Sequence, residues 1–264
     1  MRAVVPAPRL PRGRSGRSGI PPLRGLLPLV IVLLIWVLVG KQKSAYFAPP
    51  GQWISGLETL WAHDVLLKRT GQTLETWVEA MVVATILGTA IGVLIGRSRF
   101  WDRTLGPFLE FCRVLPAAAI VPLAVLIAGY TIRMQLAVVV LGAIWPVLLN
   151  VRSSARSIRP QVIDVGRSLG LKRSAVIRKV IFPSVIPGIL TGVRISAPST
   201  LVLVLLVEIL TQVGGLGALM ITAEQNFDSA QLYGLVCVAG VIGLLASWGV
   251  SYVSRRAERY WVRR

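Results

Sequence analysis

The stretch Ala80-Met81-Val82-Val83-Ala84-Thr85-Ile86-Leu87-Gly88-Thr89-Ala90-Ile91-Gly92-Val93-Leu94-Ile95-Gly96 runs for 17 residues without a charge and ends at Arg97. A helix that crosses the hydrocarbon of a bilayer needs roughly 20 mainly apolar residues. Extended upstream to Leu74, this stretch is long enough. Its small residues, Ala80, Ala84, Gly88, Gly92 and Gly96, recur at every fourth position and line one side of a helix. Four further stretches, 25–40, 114–132, 134–151 and 229–254, also lack Lys, Arg, Asp and Glu, and 180–210 is interrupted only by Arg194 and Glu208. The pattern predicts an all-α polytopic membrane protein with six transmembrane helices at about 24–40, 74–96, 109–128, 133–150, 188–210 and 232–254.

Composition agrees. Of 264 residues, 54% are hydrophobic and 15% are charged. Soluble domains run near 45–50% apolar and about 25% charged. The 29 basic residues against 11 acidic ones give a formal charge of +18, which raises nucleic-acid binding as a rival reading. Charge position decides against it. The tail to Arg24, the turn 97–107, the segment 151–187 and the tail from Arg255 together hold 22 basic and 3 acidic residues. The alternate segments, 41–72, 129–133 and 211–231, hold 5 and 4. Basic loops mark the cytoplasmic side, so the loops alternate at every crossing and both termini are expected in the cytoplasm.

The expected organisation is therefore a disordered basic tail at 1–23, a first span at 24–40, a periplasmic segment at 41–72, a five-helix core at 73–256 that includes the cytoplasmic loop 151–187, and a basic C-tail at 257–264. A cleaved signal peptide fits the N-terminus less well. The basic region before the apolar run is long, and Lys41 and Lys43 stand where a small-residue cleavage site would be.

Small-residue ridges in spanning helices mark close helix approach. The ridge at Ala84, Gly88, Gly92 and Gly96 has a second version at Ala239 and Gly243, continuing to Ser247 and Ser251. Packing within the chain is the plainer reading of both, and a seam with a second copy is the sharper one. Arg113, Pro116, Arg194 and Glu208 are candidate pathway residues. Charges within spans line cavities more often than they face lipid, and prolines free backbone carbonyls that need partners. Snorkelling at an interface would make the charges harmless.

Several chemistries find no residues here. His63 is the sole histidine, so no His-based metal or triad pattern exists, and Cys112 and Cys237 both fall in predicted helices. No phosphate-loop sequence occurs, since Gly40-Lys41 continues into Gln42. No catalytic, metal or cofactor residue is expected, and the chain is not expected to hydrolyse ATP alone.

The loop 151–187 is organised. Pro160 suits a first helical turn, Gly170 a stop, Ser174 the cap of a second helix, and Pro183 its end. It reads Asp164-Val165-Gly166, three residues, Gly170, nine residues, then Val180-Ile181-Phe182-Pro183. That spacing resembles the cytoplasmic Glu-Ala-Ala, three, Gly, nine, Ile-x-Leu-Pro motif of the permease subunits of bacterial ABC importers, with a degenerate opening triplet. Arg113-Val114-Leu115-Pro116, Ile120-Val121-Pro122-Leu123, Trp145 to Asn150, Pro187 to Gly192 and Gly215-Leu216-Gly217 are similar to the nitrate/sulfonate/taurine group of that family. The likeness covers about residues 70–260.

The resemblance implies a multi-pass protein of the bacterial inner membrane. It implies a second copy of the chain, a separate ABC ATPase subunit that binds the ATP, and a periplasmic or lipid-anchored solute-binding protein, with no nucleic-acid partner. It implies a coupling loop made by Asp164, Val165, Gly166, Ser168, Leu169, Gly170 and Pro183. The expected solute is a small anion such as a sulfonate, taurine or nitrate. A neutral heterocycle such as a pyrimidine vitamin precursor is the alternative.

Overall fold

A computed structural model describes residues 28, 30–32, 34–37 and 46–262. The chain divides into two compact units, Met1–Gly40 and Lys41–Arg264. In the first, the described residues are helical. The remainder of the expected first span, and the basic tail at 1–23, lie outside the described residues, as do residues 263 and 264.

The second unit is helical, and no strand occurs among the described residues. After a 3₁₀ turn at Pro50–Gln52 come α1 (Ser55–Ala62), α2 (Val65–Arg97), α3 (Arg99–Val114), a 3₁₀ turn at Ala117–Ile120, α4 (Val121–Ala128), α5 (Ile132–Ser157), α6 (Pro160–Ser168), α7 (Arg173–Val176), a π turn at Ile177–Ile181, α8 (Phe182–Thr211), α9 (Gly215–Gln225) and α10 (Ser229–Val262). Four segments are long and apolar enough to cross a membrane: α2, α5, Ser174–Thr211 and Ser229–Tyr260.

The expected span at 109–128 is not one helix. α3 and the Ala117–Ala128 segment meet at a bend of 82°. Pro116 is the cause. The residue before a proline is driven out of the α region, and Leu115 is extended at φ −63°, ψ 122°. Two other expectations also change. The segments read as loops at 41–72 and 211–231 contain α1, the start of α2, and α9. Pro183 does not end a helix: it sits in the first turn of α8, which continues from the π turn. There the Phe182 N–H bonds Ile177 O, five residues back, so the ladder has already shifted where the proline ring would otherwise clash.

α5 is the central rod. The α2 ridge lies on it: a Cβ added at Gly92 would sit 2.8 Å from Leu148 O and 3.0 Å from Val151 Cβ, and one at Gly88 3.1 Å from Val147 Cβ. α8 presses on it with its own small residues, where a Cβ at Gly192 would lie 2.6 Å from Val147 Cα and one at Gly188 2.8 Å from Asn150 O. Only glycine permits these backbone approaches, which supply the packing that drives helix association in lipid. Polar side chains take the carbonyls near the prolines. Ser196 Oγ donates to Ala143 O at 2.7 Å beside Pro146, and Trp77 Nε1 to Ala197 O at 3.0 Å beside Pro198. The second ridge also packs within the chain: Ala239 is buried in the cluster of Leu66, Leu216, Met220 and Leu235, and Gly243 faces Leu201 of α8.

Candidate functional site

α5 runs past the charge-free stretch to Ser157, and the chain then turns into α6. Proline opens α6 at its first position, where its missing N–H costs nothing. Gly170, with φ +72°, turns the chain out of it. The left-handed region favours glycine because a Cβ there is strained. Leu171 N–H returns to Gly166 O at 3.1 Å and closes the turn. Gly166 is buried, with Leu171 Cδ1 and Val176 Cγ2 within 3.7 Å of where its Cβ would be. Val176, Ile181 and Val185 pack against Val147, Val151 and Ala155 of α5, which fixes the returning strand of the loop to the bundle. α6 presents Val162 and Val165 outward, and Leu169, in the turn just after it, is 74% exposed. Asp164 and Ser168 lie on the same exposed helix, and Pro183 lies back in the bundle at the start of α8. The loop is thus an apolar knob held between the ends of two spanning helices.

At the opposite end of α8, Glu208 is 1% exposed. It accepts from Thr73 Oγ1 at 3.0 Å and from the Gly217 N–H at 2.9 Å. The Leu216 N–H donates to Thr73 Oγ1 at 2.8 Å and the Gly215 N–H to Gln72 Oε1 at 3.1 Å. Three donors at the start of α9, which no earlier turn can satisfy, are met by α2 and α8. Gly215 has φ +79°, and a Cβ there would run into the Glu208 carboxylate. Beside this anchor lies a cavity of about 150 Å³ lined by Gln72, Glu75, Thr76, Glu79, Gln135 and Glu208. Gln135 is 3% exposed, and its Nε2 has no partner among the described residues.

The other candidates do not gather there. Arg113 pairs with Glu110 on exposed α3 at 2.9 Å, and Pro116 marks the break after α3. Arg194 pairs with Glu258 of α10 at 3.3 Å, while its buried Nε has no partner among the described residues. Reading the sequence missed Thr73, Gln72 and Gln135, and also the pairing of Arg152 with Asp102 at 2.7 Å, which ties α5 to α3. A threonine or glutamine in a spanning helix is a signal that a hydrogen-bond partner exists, but it does not say where.

The family described as "Binding-protein-dependent transport system inner membrane component" matches residues 84–259. The putative aliphatic sulfonates transport permease protein SsuC of Bacillus subtilis (strain 168) is 26% identical over 252 residues, 94% of this chain and 91% of that protein. The bicarbonate transport system permease protein CmpB of Synechocystis sp. is 25% identical over 248 residues, 89% of this chain and 88% of that one. The nitrate import permease protein NrtB of Synechocystis sp. is 26% identical over 170 residues, 64% of this chain and 62% of that one. Among solved structures, an inward-facing MetNI methionine ABC transporter chain superposes with a TM-score of 0.62 at 17% identity, covering 72% of this chain and 95% of that chain.

Proposed function

The chain belongs to the family of binding-protein-dependent transport system inner membrane components and is a multi-pass permease subunit of an ABC importer; from that premise we propose that it carries a small anion and takes its power stroke through α6. Two copies would form the pathway, each with both termini in the cytoplasm. ATP would be bound and hydrolysed on a separate subunit, and a binding protein would deliver the solute. The observation that carries the coupling role is the outward apolar face of α6 and the turn after it, Val162, Val165 and Leu169, in a loop whose returning side packs on α5 and leads into α8. An apolar knob on a basic loop suits a protein groove, and burial there would transmit the partner's closure as a rigid-body shift. Asp164, Val165, Gly166, Ser168, Leu169 and Gly170 make up the knob and its turn.

The anion reading is supported by the sulfonate, bicarbonate and nitrate permeases to which the chain is similar. Arg194 supports it too, because its buried Nε keeps a donor that Glu258 does not use. Nothing in the site favours a neutral heterocycle.

The test is Leu169→Asp in vesicles reconstituted with the ATPase and binding protein. Leu169 is exposed, so the fold is spared. Losing the burial of one leucine costs about 2 kcal/mol, roughly 30-fold in ATPase docking. Uptake of labelled sulfonate, nitrate or bicarbonate is expected to fall with the docking. Unchanged docking together with unchanged uptake refutes the assignment.

A further inference from the structure

Where α2, α3, α5 and the start of α6 meet, a cleft of about 480 Å³ is lined by Arg97, Arg99, Asp102, Arg103, Arg156 and Pro160. Its one carboxylate is already used. Asp102 Oδ1 accepts from Arg152 Nε at 2.7 Å, and Asp102 Oδ2 pairs with Arg156 Nη1 at 3.1 Å. Arg97, Arg99 and Arg103 have no carboxylate partner among the described residues. Guanidinium groups gathered around one cleft repel one another unless an anion joins them, and their planar forks suit the oxygens of a phosphate.

α3 indicates where that anion comes from. Phe100, Trp101, Phe108, Phe111 and Val114 are all exposed, between 46% and 75%. At 100° per residue they form one stripe. Asp102, Gly106 and Leu109 form the stripe turned toward the bundle, and all three are buried. Arg99 and Arg103 fall on the flank beside it. A helix with an aromatic face and a basic flank lies in the plane of the membrane interface, rings in the acyl boundary and guanidiniums at phosphate depth. The 82° bend after α3 turns the chain from that plane into α4.

We propose that this cleft is a binding site for the headgroup phosphate of an anionic phospholipid. Arg97, Arg99 and Arg103 hold the phosphate oxygens, Arg156 closes the α5 side, and the aromatic stripe of α3 lies along the acyl chains. The lipid would bridge the α2–α3 corner to the α5–α6 junction, beside the loop proposed to meet the ATPase.

The full-length chain, purified in a neutral detergent, is titrated with phosphatidylglycerol, with phosphatidylcholine and with inorganic phosphate alone, and bound lipid is counted by native mass spectrometry. Phosphatidylglycerol is expected to be retained roughly tenfold better than phosphatidylcholine and to survive excess inorganic phosphate. Arg99 and Arg103 are exposed, so R99Q/R103Q is expected to stay folded and to lose binding roughly 30-fold, at about fivefold per arginine. R99K/R103K, which keeps the charge but loses the planar fork, is expected to lose less than R99Q/R103Q and more than none. Equal retention of the two lipids, or an unchanged affinity in R99Q/R103Q, overturns the proposal. So does displacement of phosphatidylglycerol by inorganic phosphate, which would make the cleft a site for a soluble anion. The unsubstituted protein supplies the lipid and phosphate arms, so the result does not depend on any variant folding.

Discussion

Replacing Asp102 by Asn tests whether the clamp between α3 and α5 is one ion pair or two. The Asp102 side chain is 9% exposed. Its two partners differ sharply, with Arg152 at 15% and Arg156 at 70%. Removing one partner from a buried pair strands a buried charge, which costs about 3–5 kcal/mol. Arg152 would keep one bond, from its Nη2 to Asp102 O at 3.2 Å, so the lower end, about 3 kcal/mol, is expected. The Arg156 limb is wet and screened, and worth about 0–1 kcal/mol. A double-mutant cycle separates the two. Asp102→Asn with Arg152→Met should give a coupling energy of about 2–3 kcal/mol, and Asp102→Asn with Arg156→Gln less than about 1 kcal/mol. The assay is reversible unfolding in mixed micelles, repeated at high salt, where only the Arg156 coupling should shrink. Equal couplings for the two pairs, or an Asp102→Asn cost below about 1 kcal/mol, would refute the assignment of the clamp to Arg152.

Two further outcomes are expected. Gly92→Ala places a Cβ 2.8 Å from a backbone carbonyl of α5 and should cost about 1–3 kcal/mol by overpacking. Gly240→Ala in α10 meets nothing within 4 Å and should be neutral or slightly stabilising in the same unfolding assay; equal effects would undo the seam. Glu208→Ala leaves the Gly217 N–H without its buried acceptor and the Thr73 hydroxyl with only Arg69 O at 3.3 Å, at about 1–3 kcal/mol. Proteolysis at the α8–α9 turn should rise together with this loss of stability. Full stability with lost transport would return Glu208 to the pathway.

The four long apolar helices α2, α5, α8 and α10 were legible because charge-free runs are a local property. The α2 ridge was legible because glycine at every fourth position has a direct packing meaning. Gly170 was legible because a stop after a short helix calls for a left-handed residue, and the backbone there has φ +72°. The losses have physical causes. Pro116 was visible, yet a proline in an apolar run is compatible with a kinked span as well as a broken one, and only the backbone shows an 82° bend there. Pro183 reads as a stop unless the π turn before it is known. Glu208 was singled out as a charge in a span, but Thr73, 135 residues upstream, is what makes it an anchor. A pairing across that distance leaves no trace in either neighbourhood. The same holds for Asp102 and Arg152, 50 residues apart.

The two ends of the molecule are joined by a seam made almost entirely of backbone. Gly88 and Gly92 of α2 and Gly188 and Gly192 of α8 all meet α5 where no side chain could fit between. Long side chains at a helix interface can change rotamer and let one helix slide over another. Glycine against a carbonyl or a Cα has no rotamer to change. Under the proposed coupling role, a push on α6 would be passed to α5 and α8, whose backbones are in direct contact at these glycines. Gly188 and Glu208 are separated by 20 helical residues, about 30 Å at 1.5 Å each. Under the proposed coupling role, displacement at the loop would reach the Glu208–Thr73–Gly217 anchor as a movement of the three-helix unit. If α6 is the point where the ATPase pushes, the anchor at the far end is needed so that α9 travels with the bundle.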